Sequence, residues 1–74
     1  MTRYVVMTRQ GNLPVERFVD IESAASYIVR ERAFGRWTVL AQEANTITAS
    51  TPYRDLRQHE RKTLERKLYP TLYE

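Results

Sequence analysis

Between residues 21 and 28 the apolar side chains Ile21, Ala24, Ala25 and Ile28 recur at i, i+3, i+4 and i+7, and on both sides the pattern switches to alternation. A segment of period 3.6 set between stretches of period 2 dictates an amphipathic helix laid across strands, and so an α+β fold. The two alanines on the stripe allow a close approach to the sheet.

Upstream, Thr2 to Arg9 puts Tyr4 and Val6 on one face and Val5 and Met7 on the other, the pattern of a central strand, β1. Gln10-Gly11-Asn12 tolerates positive φ and joins β1 at hairpin spacing to β2, Leu13 to Val19. Pro14 has no N–H to give to a ladder, which places β2 at an edge or starts it just after the proline. Asp20 stands where an N-cap belongs, and Glu22 adds negative charge to the first turn of helix α1. Gly35, after Phe34, is the expected left-handed stop. Downstream, Arg36 to Gln42 alternates Trp37, Val39 and Ala41 against Thr38 and Leu40, giving β3. After a turn at Glu43-Ala44-Asn45, the threonine-rich run Thr46 to Ser50, with Ile47 and Ala49 on one side, reads as a half-buried β4. Thr51-Pro52 supplies a cap and a first helical residue for α2, expected from Pro52 to Tyr69 over about 27 Å and ending before Pro70.

The expected architecture is ββαββα: a four-stranded, mainly antiparallel sheet with α1 packed across it and α2 beside it or projecting. Val5, Val15, Ile21, Ala25, Ile28, Trp37, Val39 and Ile47 form the expected core. Residues 1–50 read as a scaffold, 51–69 as a basic helix and 70–74 as a tail, within one small domain of 74 residues. A single core of this size supplies only about 3–5 kcal/mol, so a partner surface or self-association is expected to add stability. There is no cysteine, so stability comes from packing without disulfides, which fits a reducing compartment. The apolar run Tyr4 to Met7 is shorter than the core of a signal peptide or the roughly 20 residues of a membrane span. A soluble cytoplasmic protein with no membrane partner is therefore expected.

Charge is uneven along the chain. Of its 12 lysines and arginines, half follow Thr51: Arg54, Arg57, Arg61, Lys62, Arg66 and Lys67, against Asp55, Glu60, Glu65 and Glu74. Most are arginines, whose planar fork suits phosphate, carboxylate and aromatic faces. At 100° per residue, Arg54, Arg57 and Arg61 share a helix flank that Lys62 and Arg66 continue, a stripe able to follow phosphates or an acidic protein groove. The competing reading is a solvated helix whose cations pair at i+3 or i+4, Arg57 with Glu60 and both Arg61 and Lys62 with Glu65. Tyr53, Leu56, Leu64 and Leu68 make a thin apolar line interrupted by Glu60, so the middle of that face is not expected to be deep core. Tyr53, Tyr69 and Tyr73 beside arginines match the composition of protein interfaces and of single-strand stacking surfaces. The expected partner-binding residues are Tyr53, Arg54, Arg57, Arg61, Lys62, Arg66, Lys67 and Tyr69. Leu72 and Tyr73 either fold back over the domain or dock elsewhere.

Catalysis finds little support. His59 lies one helical turn after Asp55, but Ser23, Ser26 and Ser50 sit on other elements, so the pair reads as a solvated surface contact. Gly11 and Gly35 belong to no phosphate loop, and neither a metal nor a cofactor is expected.

The residues Ser23-Ala24-Ala25, Ile28, Arg32, Phe34 and Thr38-Val39 carry a further pattern: a hairpin leading to a capped helix, an aromatic residue, a turn and a Thr-Val strand. Over residues 20–40 this resembles short phage-encoded proteins, including a family of anti-CRISPR inhibitors of type I surveillance complexes. Beyond β4 the chain departs from that pattern, a charged helix replacing the glycine-and-tryptophan strand ending. The resemblance implies a sheet crossed by one helix, and a host protein or nucleoprotein complex as target, met in the host cytoplasm. Together these readings give a non-enzymatic phage or mobile-element protein that inhibits a host nucleic-acid machine by protein contact. The alternatives are a small basic DNA- or RNA-binding protein acting through α2, and a self-associating protein such as a homodimer.

Overall fold

The computed structural model describes residues 1–10, 13–32 and 35–70. Its elements are β1 (Thr2–Thr8), β2 (Pro14–Phe18), α1 (Ile21–Arg30), β3 (Trp37–Glu43), β4 (Tyr53–Arg54) and α2 (Gln58–Leu68). The strands form one sheet in the order β2-β1-β3-β4, every pairing antiparallel, so the chain is an α+β domain of ββαββα order. Gly11, Asn12, Phe34, Leu72 and Tyr73, for which turn, packing or docking roles are expected above, lie outside the described residues.

β1 is central because both of its faces are apolar: Val5, Val6 and Met7 are all buried. It pairs with β3 without interruption from Thr2↔Glu43 to Thr8↔Trp37. Against β2 the register jumps from Val6↔Glu16 to Met7↔Pro14, which leaves Val15 as an extra residue. This bulge lies beside Pro14, which has no N–H to donate to the ladder, and β2 begins at that proline and lies at the edge of the sheet. Val15 turns outward as a result and is exposed, not part of the core.

Helix α1 starts as its sequence dictates: Asp20 is extended (φ −144°, ψ 164°) and its carboxylate accepts the Ser23 N–H at 2.7 Å. That bond holds the Asp20 carboxyl below its ordinary pKa. Ile21, Ala24, Ala25 and Ile28 are buried. The helix stops earlier than a Gly35 cap implies. Glu31 N–H bonds to Tyr27 O at 2.9 Å and Arg32 N–H to Val29 O at 3.1 Å, and Arg32 itself takes the left-handed conformation with φ 50°. Gly35 (φ 82°) instead turns the chain into β3.

Both helices lie on one face of the sheet and pack against each other. There Ala24 and Ile28 meet Val6, Val39, Ala41 and Leu56, with Tyr4, Tyr27, Leu64 and Leu68 among the partly buried residues around them. Trp37 is only half-buried at the rim, and Ile47 lies half-buried outside the regular elements. Burying a side chain such as Val6 or Ile28 contributes about 1.5–3 kcal/mol, so α2, which brings Leu64 and Leu68, is an integral part of this cluster. Among the described residues no helix is long and apolar enough to cross a membrane.

Two expected elements are displaced. Thr46 to Ser50 is not a strand; its polar side chains bond locally instead. Thr48 N–H donates to Thr51 Oγ1 at 2.8 Å, Ser50 N–H to Thr48 Oγ1 at 3.2 Å, and Thr51 N–H to Thr48 O at 3.1 Å. The buried Gln42 side chain fastens this turn by donating to Thr51 O at 2.8 Å, while its oxygen accepts from Arg17 Nε at 3.2 Å. Because β1 separates β2 from β3, that Arg17–Gln42 bond spans the central strand on the face away from the helices. The fourth strand comes later, as Tyr53–Arg54 paired with Ala41 and Gln42. Residues 52–57 are consequently not helical, and α2 starts at Gln58 with Arg57 as its N-cap.

Candidate functional site

The expected α2 stripe divides into an inward and an outward set. Leu56, Glu60, Leu64 and Leu68 follow one another at i+4, which turns the carboxylate of Glu60 toward the sheet along with the leucines. The expectation of a shallow middle to this face is overturned, because Glu60 is only 4% exposed. A buried charge must be paired and hydrogen-bonded, and Glu60 is. Tyr4 O–H donates to Oε2 at 2.6 Å, and Arg54 donates to Oε1 at 2.8 Å and to Oε2 at 3.2 Å. The Arg57 backbone N–H donates to Oε1 at 2.8 Å. Arginine carries no side-chain acceptor, so this is the reciprocal half of a capping box.

The two-pronged Arg54 guanidinium is the main cause of Glu60's depressed pKa, which falls from 4.5 to about 2 against the opposing effect of burial. Burial is the first cause, and the bond to Glu60 the second, of a Tyr4 pKa pushed up to about 12. Arg54 is held charged chiefly by Glu60, and its Nη2 also reaches Glu43 Oε1 at 3.0 Å. Among the described residues its buried Nε finds no acceptor. Glu43 is lowered first by Arg54 and then by Arg57, whose guanidinium lies 3.7 Å away. The network binds β1, β3 and β4 to the first turn of α2.

This arrangement redistributes the eight expected partner-binding residues. Arg54 turns inward as an internal ion pair and not toward solvent. Tyr53 pairs with Gln42 and therefore shares the sheet face opposite the helices, away from α2. Arg57, Arg61, Lys62, Arg66, Lys67 and Tyr69 remain exposed on or next to α2. Lys67 Nζ lies 4.0 Å from Glu22 Oε1, joining the last turn of α2 to the first turn of α1. Asp55 precedes the helix, so the one-turn Asp55–His59 geometry expected on a continuous α2 does not form.

The i+3 pairing of Arg57 with Glu60 is also absent as a side-chain contact: Glu60 accepts the Arg57 backbone N–H and the side chain of Arg54. With Glu60 drawn inside, Glu65 is the one acid of α2 set among Arg61, Lys62, Arg66 and Lys67. The signal for this inward turn is the i+4 row through Glu60. What the sequence alone did not reveal was a tyrosine on β1 and an arginine before the helix able to receive it.

No protein-family model matches the chain, and neither a curated protein nor a solved structure does.

Proposed function

We propose that this chain is a non-enzymatic binding protein that docks the outward face of α2, through Arg57, Arg61, Lys62, Arg66 and Lys67, against an acidic surface of another protein. The observation that supports it is the burial of Glu60, which removes an acid from the outer face and leaves a run of exposed cations on a helix anchored at its first turn. A fixed helix presenting arginines loses less side-chain freedom on association than a flexible arm does. The resemblance over residues 20–40 makes a host nucleic-acid machine, such as a CRISPR complex, the kind of target we favour.

A second reading is direct DNA or RNA binding, favoured by the same cations, which extend along an 11-residue helix about 16 Å long. One experiment separates the two. Tagged protein is incubated with bacterial lysate before and after nuclease treatment, beside a variant carrying Arg61→Glu and Lys62→Glu. A stoichiometric protein recovered in both lysates and lost with the variant supports protein docking. Recovery abolished by nuclease transfers the function to nucleic acid, for which log affinity falls linearly with log salt. No recovered partner sinks both.

A further inference from the structure

The two edges of the sheet are protected very differently. The β2 edge carries Pro14, a bulge, Glu16 and Arg17, all features that obstruct pairing with another strand. At the other edge β4 is only two residues long and pairs with Ala41 and Gln42 alone. Among the described residues no strand pairs with Trp37 to Leu40 on the side away from β1. This open half of β3, Trp37-Thr38-Val39-Leu40, contains neither proline nor charge. Neighbouring residues of a strand send their N–H and C=O groups to opposite sides, so alternate residues here offer both groups to the open side.

That edge does not face bulk solvent directly. Between it and α2 runs a groove of about 260 Å³, floored by Leu56, Leu64 and Leu68 and bordered by Arg9, Arg61 and Asp55. Trp37 lines the same groove, and among the described residues its buried indole Nε1 has no hydrogen-bond partner. A buried donor left unpaired costs about 1–3 kcal/mol, a cost removed by any carbonyl that reaches Nε1 as a segment docks. The groove therefore combines a strand edge with no partner among the described residues, an apolar floor and the side chain of Trp37 on its lining.

We infer that the open half of β3 is a strand-addition site that takes an extended segment of a partner protein, with apolar side chains toward α2 and at least one carboxylate toward Arg9 and Arg61. Main-chain bonds to the strand supply affinity, and alternate side chains on the leucine floor supply specificity. A second copy of the chain is a poorer occupant, since each copy carries a net charge of +3 and would bring the same arginines to the shared edge. The site is on the flank of α2 that faces the sheet, and it stands whether the outer cations meet protein or nucleic acid.

The test selects short peptides from a random display library against the intact protein and follows the bound state by amide hydrogen exchange. Enriched peptides should alternate β-branched or aromatic residues with polar ones and include Asp or Glu. They should protect the Val39 amide, which faces the open side because Thr38 and Leu40 turn theirs to β1, and shift the Trp37 indole N–H resonance. Trp37→Phe keeps an aromatic side chain and removes the donor, and should weaken these peptides by about tenfold, the equivalent of about 1.4 kcal/mol. The inference is overturned if no peptide is enriched, if the enriched peptides are basic, or if they leave the exchange of residues 37–40 unchanged. Protection of residues 37–40 that rises with protein concentration and needs no peptide would overturn it in favour of a second copy.

Discussion

Replacing Glu60 by glutamine tests how much of the fold depends on one buried carboxylate. Glutamine keeps the size of the side chain and removes the charge, so it imitates the protonated acid. The interval from 4.5 to about 2 corresponds to a preference of about 3 kcal/mol for the ionised form in the folded protein. Solvent screening subtracts little, because the Glu60 side chain is 5% exposed. A domain of this length has roughly 4–11 kcal/mol in total, so the substitution removes a large share. Glu60→Gln should lower the melting temperature at pH 7 by roughly 12–24 °C.

The pH dependence supplies the sharper check. Glu60's folded pKa lies below its unfolded value, so its contribution is complete above about pH 4.5 and disappears as pH falls toward 2. Urea unfolding followed by Trp37 fluorescence should show the natural protein ahead of Glu60→Gln by about 3 kcal/mol at pH 7 and by only about 1 kcal/mol at pH 3. Glu43 and Asp20, also lowered, titrate in both proteins and largely cancel in the comparison. A gap under about 1 kcal/mol at pH 7, or one that does not narrow on acidification, would falsify the assignment of Glu60 as the anchor.

Two other sites give independent expectations. Gln42→Leu leaves the Thr51 carbonyl without its buried donor and should cost about 2 kcal/mol, with faster amide exchange through residues 46–52; unchanged exchange there would show that Gln42 does not hold the turn. Arg32→Gly relieves a left-handed φ of 50° and should stabilise by about 0.5–1 kcal/mol in thermal unfolding; a loss instead would mean that the arginine side chain contributes more than the strain costs.

Elements whose sequence signals are local were legible. The α1 stripe and its Asp20 cap, the central position of β1 and the edge position of β2 all follow from period, capping chemistry and the missing proline N–H. Errors began where a distant partner decides the outcome. Thr51-Pro52 carries a proper helix-start signal, yet residues 53–54 pair with β3, and the turn before them is tied to Gln42, nine residues upstream of Thr51. Thr46 to Ser50 has strand propensity, but the same hydroxyls that make threonine tolerable in a sheet let Thr48 and Thr51 satisfy each other locally. Val15 was misplaced by a one-residue bulge, which reverses the side on which a residue falls.

The same distinction explains why the candidate site was only half readable. Counting charges along α2 treats Arg54 and Glu60 as surface groups, whereas the fold pairs them with each other and with Tyr4, 56 residues away from Glu60 in sequence. Their pairing has two effects with one cause. It supplies the bonds that hold the first turn of α2 to the sheet, and it subtracts an acid from the face that the helix turns to solvent. A helix on which Glu60 pointed outward would present alternating charges and would be held in place by its leucines and by α1 alone. Because Glu60 points inward, the outer cations and one wall of the groove beside β3 belong to the same anchored helix, and any partner that meets Arg61 also meets the rim of that groove.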